Sequence, residues 1–441
     1  VTARNDWSST LPKNNRSYFY PAVTGSFVFT DAFKIGSNIL NFGKIRASWA
    51  KVGNDAGPYY NNGTFLLGQP YNGQPQMALR DIKFDPKLKP EFTSEIEFGL
   101  DLQMFNSRFN LDMSFYNRNS TDQIAPLSLP YSTGYASYYT NFGKMNNHGI
   151  EIGIDATPII AGAFKWNLYG TFSKNWSEVK ELVGGVDEIS IGGAFSSPKP
   201  VLVVGQPYGI LKGTKLARDE EGNLLVDPNS GAYLVANEEG FIGDPNPDFK
   251  ASLSNTFSYK GLSLNFMFDL QYGGCVFSTY VTDLLGRGVT KDTEDRLGTR
   301  ILPGVLADPS TKKPLLNEQG QKIQNYVQMT ESDLYFVSSS SVSTFAINGV
   351  DEVATYDATT FRLRELSLSY DFPKKLISKT FFGSATISFV ARNLWHYSPN
   401  VPKHTNYDPT VSSYGGGNVQ GIDYTTAPST KRYGFNLKLT F

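Results

Sequence analysis

The chain has 441 residues and a formal net charge of −1; 18% of residues are charged and 14% aromatic, with 31 Phe and 25 Tyr. That balance offers no global positive field for a nucleic-acid backbone, the aromatic content excludes disorder, and no run approaches the roughly 20 apolar residues of a spanning helix. One cysteine, Cys275, excludes a disulfide framework or thiolate metal site, and His148, His396 and His404 are too scattered for a metal or catalytic cluster.

Val1 is not an initiator Met, and no basic segment leads into an apolar run, so the chain reads as part of something longer. After a partial strand at 1–4, strands are expected at 18–30, 40–52, 92–105, 108–119, 141–157, 164–180, 249–259, 262–272, 360–371, 384–394 and 433–441. The signal is strict alternation, which puts one class of side chain on each face of a strand. Ile96, Phe98, Leu100, Leu102 and Met104 oppose Glu95, Glu97, Gly99, Asp101 and Gln103. Phe109, Leu111, Met113 and Phe115 oppose Asn110, Asp112, Ser114 and Tyr116; Ile150, Ile152 and Ile154 oppose Glu151, Gly153 and Asp155. The run from Leu262 to Tyr272 and the final run Tyr433, Phe435, Leu437, Leu439, Phe441 repeat the pattern.

A soluble β-sandwich would point the apolar faces inward. Two features favour a transmembrane barrel instead. The strands reach about ten residues, against the usual five or six in soluble sheets. Their polar faces carry Ser, Asn, Thr, Gly and carboxylates but little Lys, which suits a wet lumen better than an outer solvent face. The connections agree. Those at 31–39, 106–107, 158–163, 260–261 and 372–383 are short, and those at 53–91, 120–140, 181–248, 273–359 and 395–432 are long, in alternation. A chain that threads up and down through a bilayer, with short periplasmic turns and long extracellular loops, has this pattern.

The segment 201–216 also reads as strand, but a crossing there would break the parity, so it is assigned to the long excursion as a hairpin arm. Polarity flips between Leu363 and Leu366, which predicts a β-bulge. Aromatic pairs at strand ends (Tyr18, Phe19 and Tyr20; Phe115 and Tyr116; Tyr138 and Tyr139; Trp395 and Tyr397) suggest interfacial girdles, with ordinary β-propensity as the competing account.

A set of local motifs runs through the chain in order: Arg4-Asn-Asp-Trp with Tyr18-Phe-Tyr-Pro, Leu40-Asn-Phe-Gly-Lys-Ile-Arg-Ala-Ser-Trp, Asn141-Phe-Gly-Lys-Met-Asn-Asn-His-Gly, Ile242-Gly-Asp-Pro-Asn-Pro-Asp-Phe, Thr360-Phe-Arg-Leu-Arg-Glu-Leu and Ala391-Arg-Asn-Leu-Trp. Together they resemble the C-terminal part of the SusC/RagA family of TonB-dependent transporters of Bacteroidetes. The resemblance implies an all-β transmembrane antiparallel barrel of 22 strands, of which 1–441 would supply about the C-terminal 12. It also implies an N-terminal plug, a TonB-contacting box and further N-terminal strands outside this chain, and a Gram-negative outer-membrane location. A SusD-like lipoprotein would cover the extracellular loops and oligosaccharides or peptides would be the cargo. Tyr433, Phe435 and the terminal Phe441 look like the signal read by the barrel-assembly machinery.

No catalytic set, metal site or cofactor motif emerges, so the chain is not read as an enzyme. The acidic turns from Asp219 and Asp227 lack the closing Glu of an EF-hand. Glu95, Glu97, Asp101, Asp112, Glu151, Asp155 and Asp269, with Lys44, Arg46 and Lys438, fall on the polar faces and are candidates to face the plug or line a hydrophilic path; any wet lumen needs such a lining. Tyr59, Tyr60, Tyr131, Tyr135, Tyr138 and Tyr414 fall on the predicted long loops, where rings can stack on sugars or anchor a protein partner. A passive porin and a surface adhesin remain as alternatives to energised import.

Overall fold

The computed structural model describes residues 1–59, 63–191, 197–336, 349–415, 417 and 419–441. Twelve long strands follow one another in a single antiparallel sheet. They are β1 (Thr2–Trp7), β2 (Ser17–Val28), β3 (Leu40–Asn54), β4 (Glu91–Met104), β5 (Phe109–Ser128) and β6 (Ser137–Ala161). The rest are β7 (Phe164–Leu182), β8 (Phe249–Tyr259), β9 (Leu262–Tyr272), β10 (Thr360–Asp371), β11 (Ser384–Tyr397) and β12 (Arg432–Thr440). Each pairs with the next, so the connections 29–39, 105–108, 162–163, 260–261 and 372–383 leave one end of the sheet, and 8–16, 55–90, 129–136, 183–248, 273–359 and 398–431 leave the other. Off this path, Ile82–Phe84 adds to β6 in parallel.

The turns are built from local chemistry. Lys260 (φ 48°) and Gly261 (φ 87°) occupy the two left-handed positions of a two-residue hairpin, the twist that matches flanking strands. A Cβ on Gly261 would also fall 2.7 Å from the Asp371 carbonyl oxygen. Met267 pairs with Glu365 and Phe268 with Leu363, leaving Arg364 as the extra residue of the predicted bulge.

The expected strand order and the short turns match the observed sheet. One loop does not. The predicted long connection 120–140 is mostly strand, because β5 and β6 run on to Ser128 and Ser137 with register shifts between Ser120 and Ile124. Polar residues there look like loop in sequence, yet the extended hairpin satisfies their backbone groups by cross-strand pairing. Lys199–Val203 and Ile210–Gly213 form the hairpin arm assigned to the long excursion, within a separate small sheet that also holds Glu188–Ser190 and Gly240–Gly243.

Burial is inverted relative to a soluble sandwich. The apolar face of the large sheet is open: Phe98 is 56% exposed, and Ile45, Ile96, Leu253, Leu368, Ile387 and Leu437 are exposed with it. The buried clusters instead centre on the long-loop end. One holds Val276, Val281, Leu285, Val401 and Tyr407. Another holds Leu211, Phe277, Ala354 and Ile422; a third packs Leu11, Tyr18, Ala56 and Leu88. Such a face needs apolar surroundings of the kind a bilayer supplies, whereas the loops make their own core.

The aromatic pairs divide accordingly. Phe19, Phe115, Trp395 and Tyr397 are exposed on the outer face, whereas Tyr18 is buried in a loop cluster and Tyr116 lies on the inner wall. Neighbouring residues on a strand point to opposite faces, so adjacent aromatics cannot all join one girdle.

Candidate functional site

The polar faces of β3 to β10 make a concave wall, and the predicted residues fall on it in three groups. Lowest is an ion network. Asp101 takes Lys44 at 2.7 Å and Arg46 at 2.8 Å, and Arg46 continues to Asp112 at 3.1 Å. Arg46 can cross β4 because Gly99 lies beneath it; a Cβ there would meet its Nε at 2.4 Å.

Above it Glu95, Glu97 and Glu151 share a cavity of about 470 Å³ with Tyr116, Asn147 and Asn175. Arg118 pairs with Glu95 at 2.5 Å, and the Ser114 hydroxyl donates to Glu97 at 3.4 Å. One guanidinium against three carboxylates leaves this part of the wall acidic. Asn147 and Asn175 also border a second cavity of about 660 Å³ with Glu91, Gln123, Ser177 and Tyr208. Gln123 Oε1 and Ser177 Oγ are buried there with no hydrogen-bond partner among the described residues. Burial, helped by the charge of Glu91, pushes the Tyr208 phenol up to about 12, so it stays a neutral donor.

Asn246 joins that cavity to a third, about 760 Å³, bordered by Lys250, Asp269, Gln271, Arg362, Arg364 and Thr410. Asp269 accepts from Arg362 at 3.0 Å and from Arg364 at 2.7 Å. The bulge at Arg364 re-aims that side chain so that two arginines of one strand reach one carboxylate. Arg362 also holds the connection 398–431 down against the wall, donating to Thr410 at 2.5 Å and pairing with Asp408 at 3.4 Å.

The other candidates are apart from these groups. Asp155 is exposed on β6 opposite Asn110 and Tyr169, and Lys438 is exposed on β12 opposite Thr386. Phe441 stacks on Phe381 with centroids 5.8 Å apart, while Tyr433 and Phe435 are exposed on β12. Tyr59 and Tyr131 are exposed on loops, and Tyr135 is half-buried in the tip 129–136. Tyr138 is on strand β6 rather than a loop, its ring 5.4 Å from the Lys83 ammonium. Tyr414 packs on the cluster around Phe277 and Ile422 and so supports the loop fold. Tyr60 lies outside the described residues. Arg362, Arg364, Asn175 and Asn246 are missed by the sequence reading; the polarity flip at 363–366 was the one local sign pointing to the first two.

The long loops are locked to one another by carboxylates. Asp351 Oδ2 accepts from the Thr214 N–H at 2.8 Å and from the Ser197 hydroxyl at 2.5 Å. Glu352 accepts from the Leu216 N–H at 2.8 Å and pairs with Arg218 at 2.7 Å. Chemically the site is a capped, water-accessible wall of amides, hydroxyls, phenols and partly balanced charges. Among the described residues no cluster of three or more His, Cys, Asp or Glu is placed to hold a metal ion.

Residues 1–394 match the family described as TonB dependent receptor-like, beta-barrel. TonB-dependent receptor P3 of Formosa agariphila is 25% identical over the whole chain, which covers 43% of that protein. TonB-dependent receptor SusC of Bacteroides thetaiotaomicron is 24% identical over 64% of the chain and 30% of its own length. Among solved structures, the RagAB peptide transporter superposes with a TM-score of 0.72 at 20% identity, over 100% of this chain and 45% of that one. The chain thus spans less than half the length of these relatives. On these grounds it belongs to the TonB dependent receptor-like β-barrel family, as a segment of an outer-membrane barrel.

Proposed function

We propose that this chain is the C-terminal part of the barrel of an energised importer that takes up oligosaccharides or peptides with a SusD-like surface lipoprotein. The observation that carries the reading is the pair of opposed faces: an exposed apolar exterior and a polar interior whose cavities adjoin in turn, the first and second at Asn147 and Asn175 and the second and third at Asn246, beneath a folded loop cap. The names of the relatives, a TonB-dependent receptor SusC and a peptide-transporting RagAB, support energised import, and the second supports a peptide cargo. The outer strands β1 and β12 each leave one edge of the sheet without a neighbour among the described residues. Unpaired backbone groups in lipid cost several kcal/mol each, so further strands of the same protein would close the barrel. The acidic wall at Glu95, Glu97 and Glu151 would face a plug, and TonB would act through that missing part.

The test is uptake of labelled oligosaccharide and peptide pools by cells with and without the gene, with a protonophore as a further arm. Import that needs both the gene and the proton gradient is expected. Gene-dependent uptake that survives the protonophore would indicate a porin instead. Wild-type uptake in the deletion strain would leave an adhesin as the better reading.

A further inference from the structure

The two ends of the sheet carry opposite charge. The short turns 29–39, 105–108, 162–163, 260–261 and 372–383 hold Lys34, Arg108, Lys260, Lys374, Lys375 and Lys379 against Asp31 alone. At the other end, the connections 183–248 and 273–359 together hold 21 carboxylates against 11 Lys and Arg. Antiparallel order gathers the six cations on one rim. Arg108 is occupied by the carbonyls of Thr157 and Pro158. Lys34, Lys260, Lys374, Lys375 and Lys379 are exposed, and none takes part in an ion pair among the described residues.

The same rim exposes apolar surface. In the turn 372–383, Leu376 is 58% and Phe381 77% exposed, directly beside Lys374, Lys375 and Lys379. Phe381, Phe382 and Phe441 form one ring cluster, with centroids 4.1 to 5.8 Å apart. Phe33 is exposed beside Lys34, and the Lys260 ammonium lies 5.2 Å from the Tyr259 ring. Rings and aliphatic stems that seek the acyl boundary, with unpaired ammonium groups one or two residues away, fit a surface whose outermost layer is anionic. Water alone would favour neither the bare aromatic cluster nor its collection of cations on one rim.

We propose that this rim binds the phosphate headgroups of anionic phospholipid in the periplasmic leaflet, with the turn 372–383 as the principal site. The inference rests on the outer-membrane reading above, in which short turns face the periplasm. Phosphate takes the lysine ammonium groups, and Leu376, Phe381 and Phe441 seat beneath them among the acyl chains. The turn then anchors the rim in depth, while the acidic opposite end is kept out of any anionic layer by repulsion.

The experiment uses the intact protein purified from its outer membrane and exchanged into nanodiscs of equal phosphatidylglycerol and phosphatidylethanolamine. Lipid retained through mild detergent washing is read by native mass spectrometry. Wild type is expected to retain phosphatidylglycerol preferentially, and the Lys374→Gln, Lys375→Gln, Lys379→Gln triple variant to lose about tenfold of that preference. Lys312→Gln with Lys313→Gln, at the opposite end, is expected to leave it unchanged. Should the triple variant fail to fold, as judged by heat-modifiable mobility, Lys34→Gln with Lys260→Gln is read instead and is expected to weaken retention about threefold. Equal retention of the two lipids by wild type overturns the proposal, as does an equal loss in the Lys312/Lys313 control. A wild-type protein absent from outer-membrane fractions would overturn the membrane reading itself; an embedded barrel without lipid preference overturns this inference alone.

Discussion

At the scale of single residues, the inner wall depends on a methyl group that is absent. Arg46 reaches both Asp101 and Asp112 only by lying over Gly99. Gly99→Val should push the guanidinium off its carboxylates, leaving Asp112 without its cation at a register pair with Asp101, which keeps Lys44. Loss of the shared cation is expected to cost about 1–3 kcal/mol, toward the lower end because Asp112 is largely exposed to water. The check is a double-mutant cycle by urea unfolding of the intact protein in detergent. Gly99→Val and Arg46→Ala should each destabilise, yet the double variant should be little worse than either, since both remove one interaction. Additive effects would show that Gly99 and Arg46 do not act through each other. Alternation alone placed Arg46, Asp101 and Asp112 on the polar face. Their meeting was not legible, because residues 55 and 66 positions apart come together only through strand register.

At the scale of elements, strands and loops differ in how they are encoded. A barrel strand is written in its own residues: Leu262 to Tyr272 alternates, and the two-residue turn before it fixes its register with β8. The loops are held by bonds between distant positions, such as Asp351 to Thr214 and Glu352 to Arg218, and no local period announces them. The extension of β5 and β6 past Asn119 was hidden for the same reason, since pairing rather than propensity sustains it. These loop carboxylates also make the cap sensitive to acid. Burial pushes the Glu352 carboxyl up, but donation from Arg218 and the Leu216 N–H more than offsets it, so it lies below the ordinary carboxylate range. Asp408 is likewise held low, burial being outweighed by Thr410 and Arg362. A depressed carboxylate contributes stability that is fully present above its unfolded value, roughly pH 4, and is lost as pH falls through the lower folded value. Hydrogen exchange of the intact protein should therefore show loops 210–218 and 350–358 protected from pH 7 to about pH 4.5 and progressively opened below about pH 4, while β8 and β9 stay protected. Loops that open between pH 7 and pH 5 would contradict this assignment of the clamp.

At the scale of the whole molecule, one question governs the rest: which face of the sheet meets lipid. The composition with few charges follows from the answer, because aliphatic and aromatic side chains then serve the exterior while Ser, Asn and Thr serve a wet interior. Neighbours on β10 put this to a direct test. Leu368 is 44% exposed on the apolar face, between Leu264 of β9 and Phe389 of β11. Ser369, the next residue, points to the other face between Ser263 and Ser388, where small hydroxyls line the wall. Arginine at the first position must carry its charge into hydrocarbon or bend toward a headgroup; at the second it enters water. Reversible unfolding of the intact protein in phospholipid vesicles should show Leu368→Arg destabilised by about 2–4 kcal/mol if the site lies near the midplane, less toward an interface, and Ser369→Arg by under about 1 kcal/mol. In lipid-free detergent of short chain length the gap should shrink, since micelles thin and hydrate around a charge more readily than a bilayer. If Ser369→Arg were instead the damaging change, the sheet would be facing the other way: lumen and lipid would exchange places, and the three cavities on the polar wall would lose their claim to be a solute path.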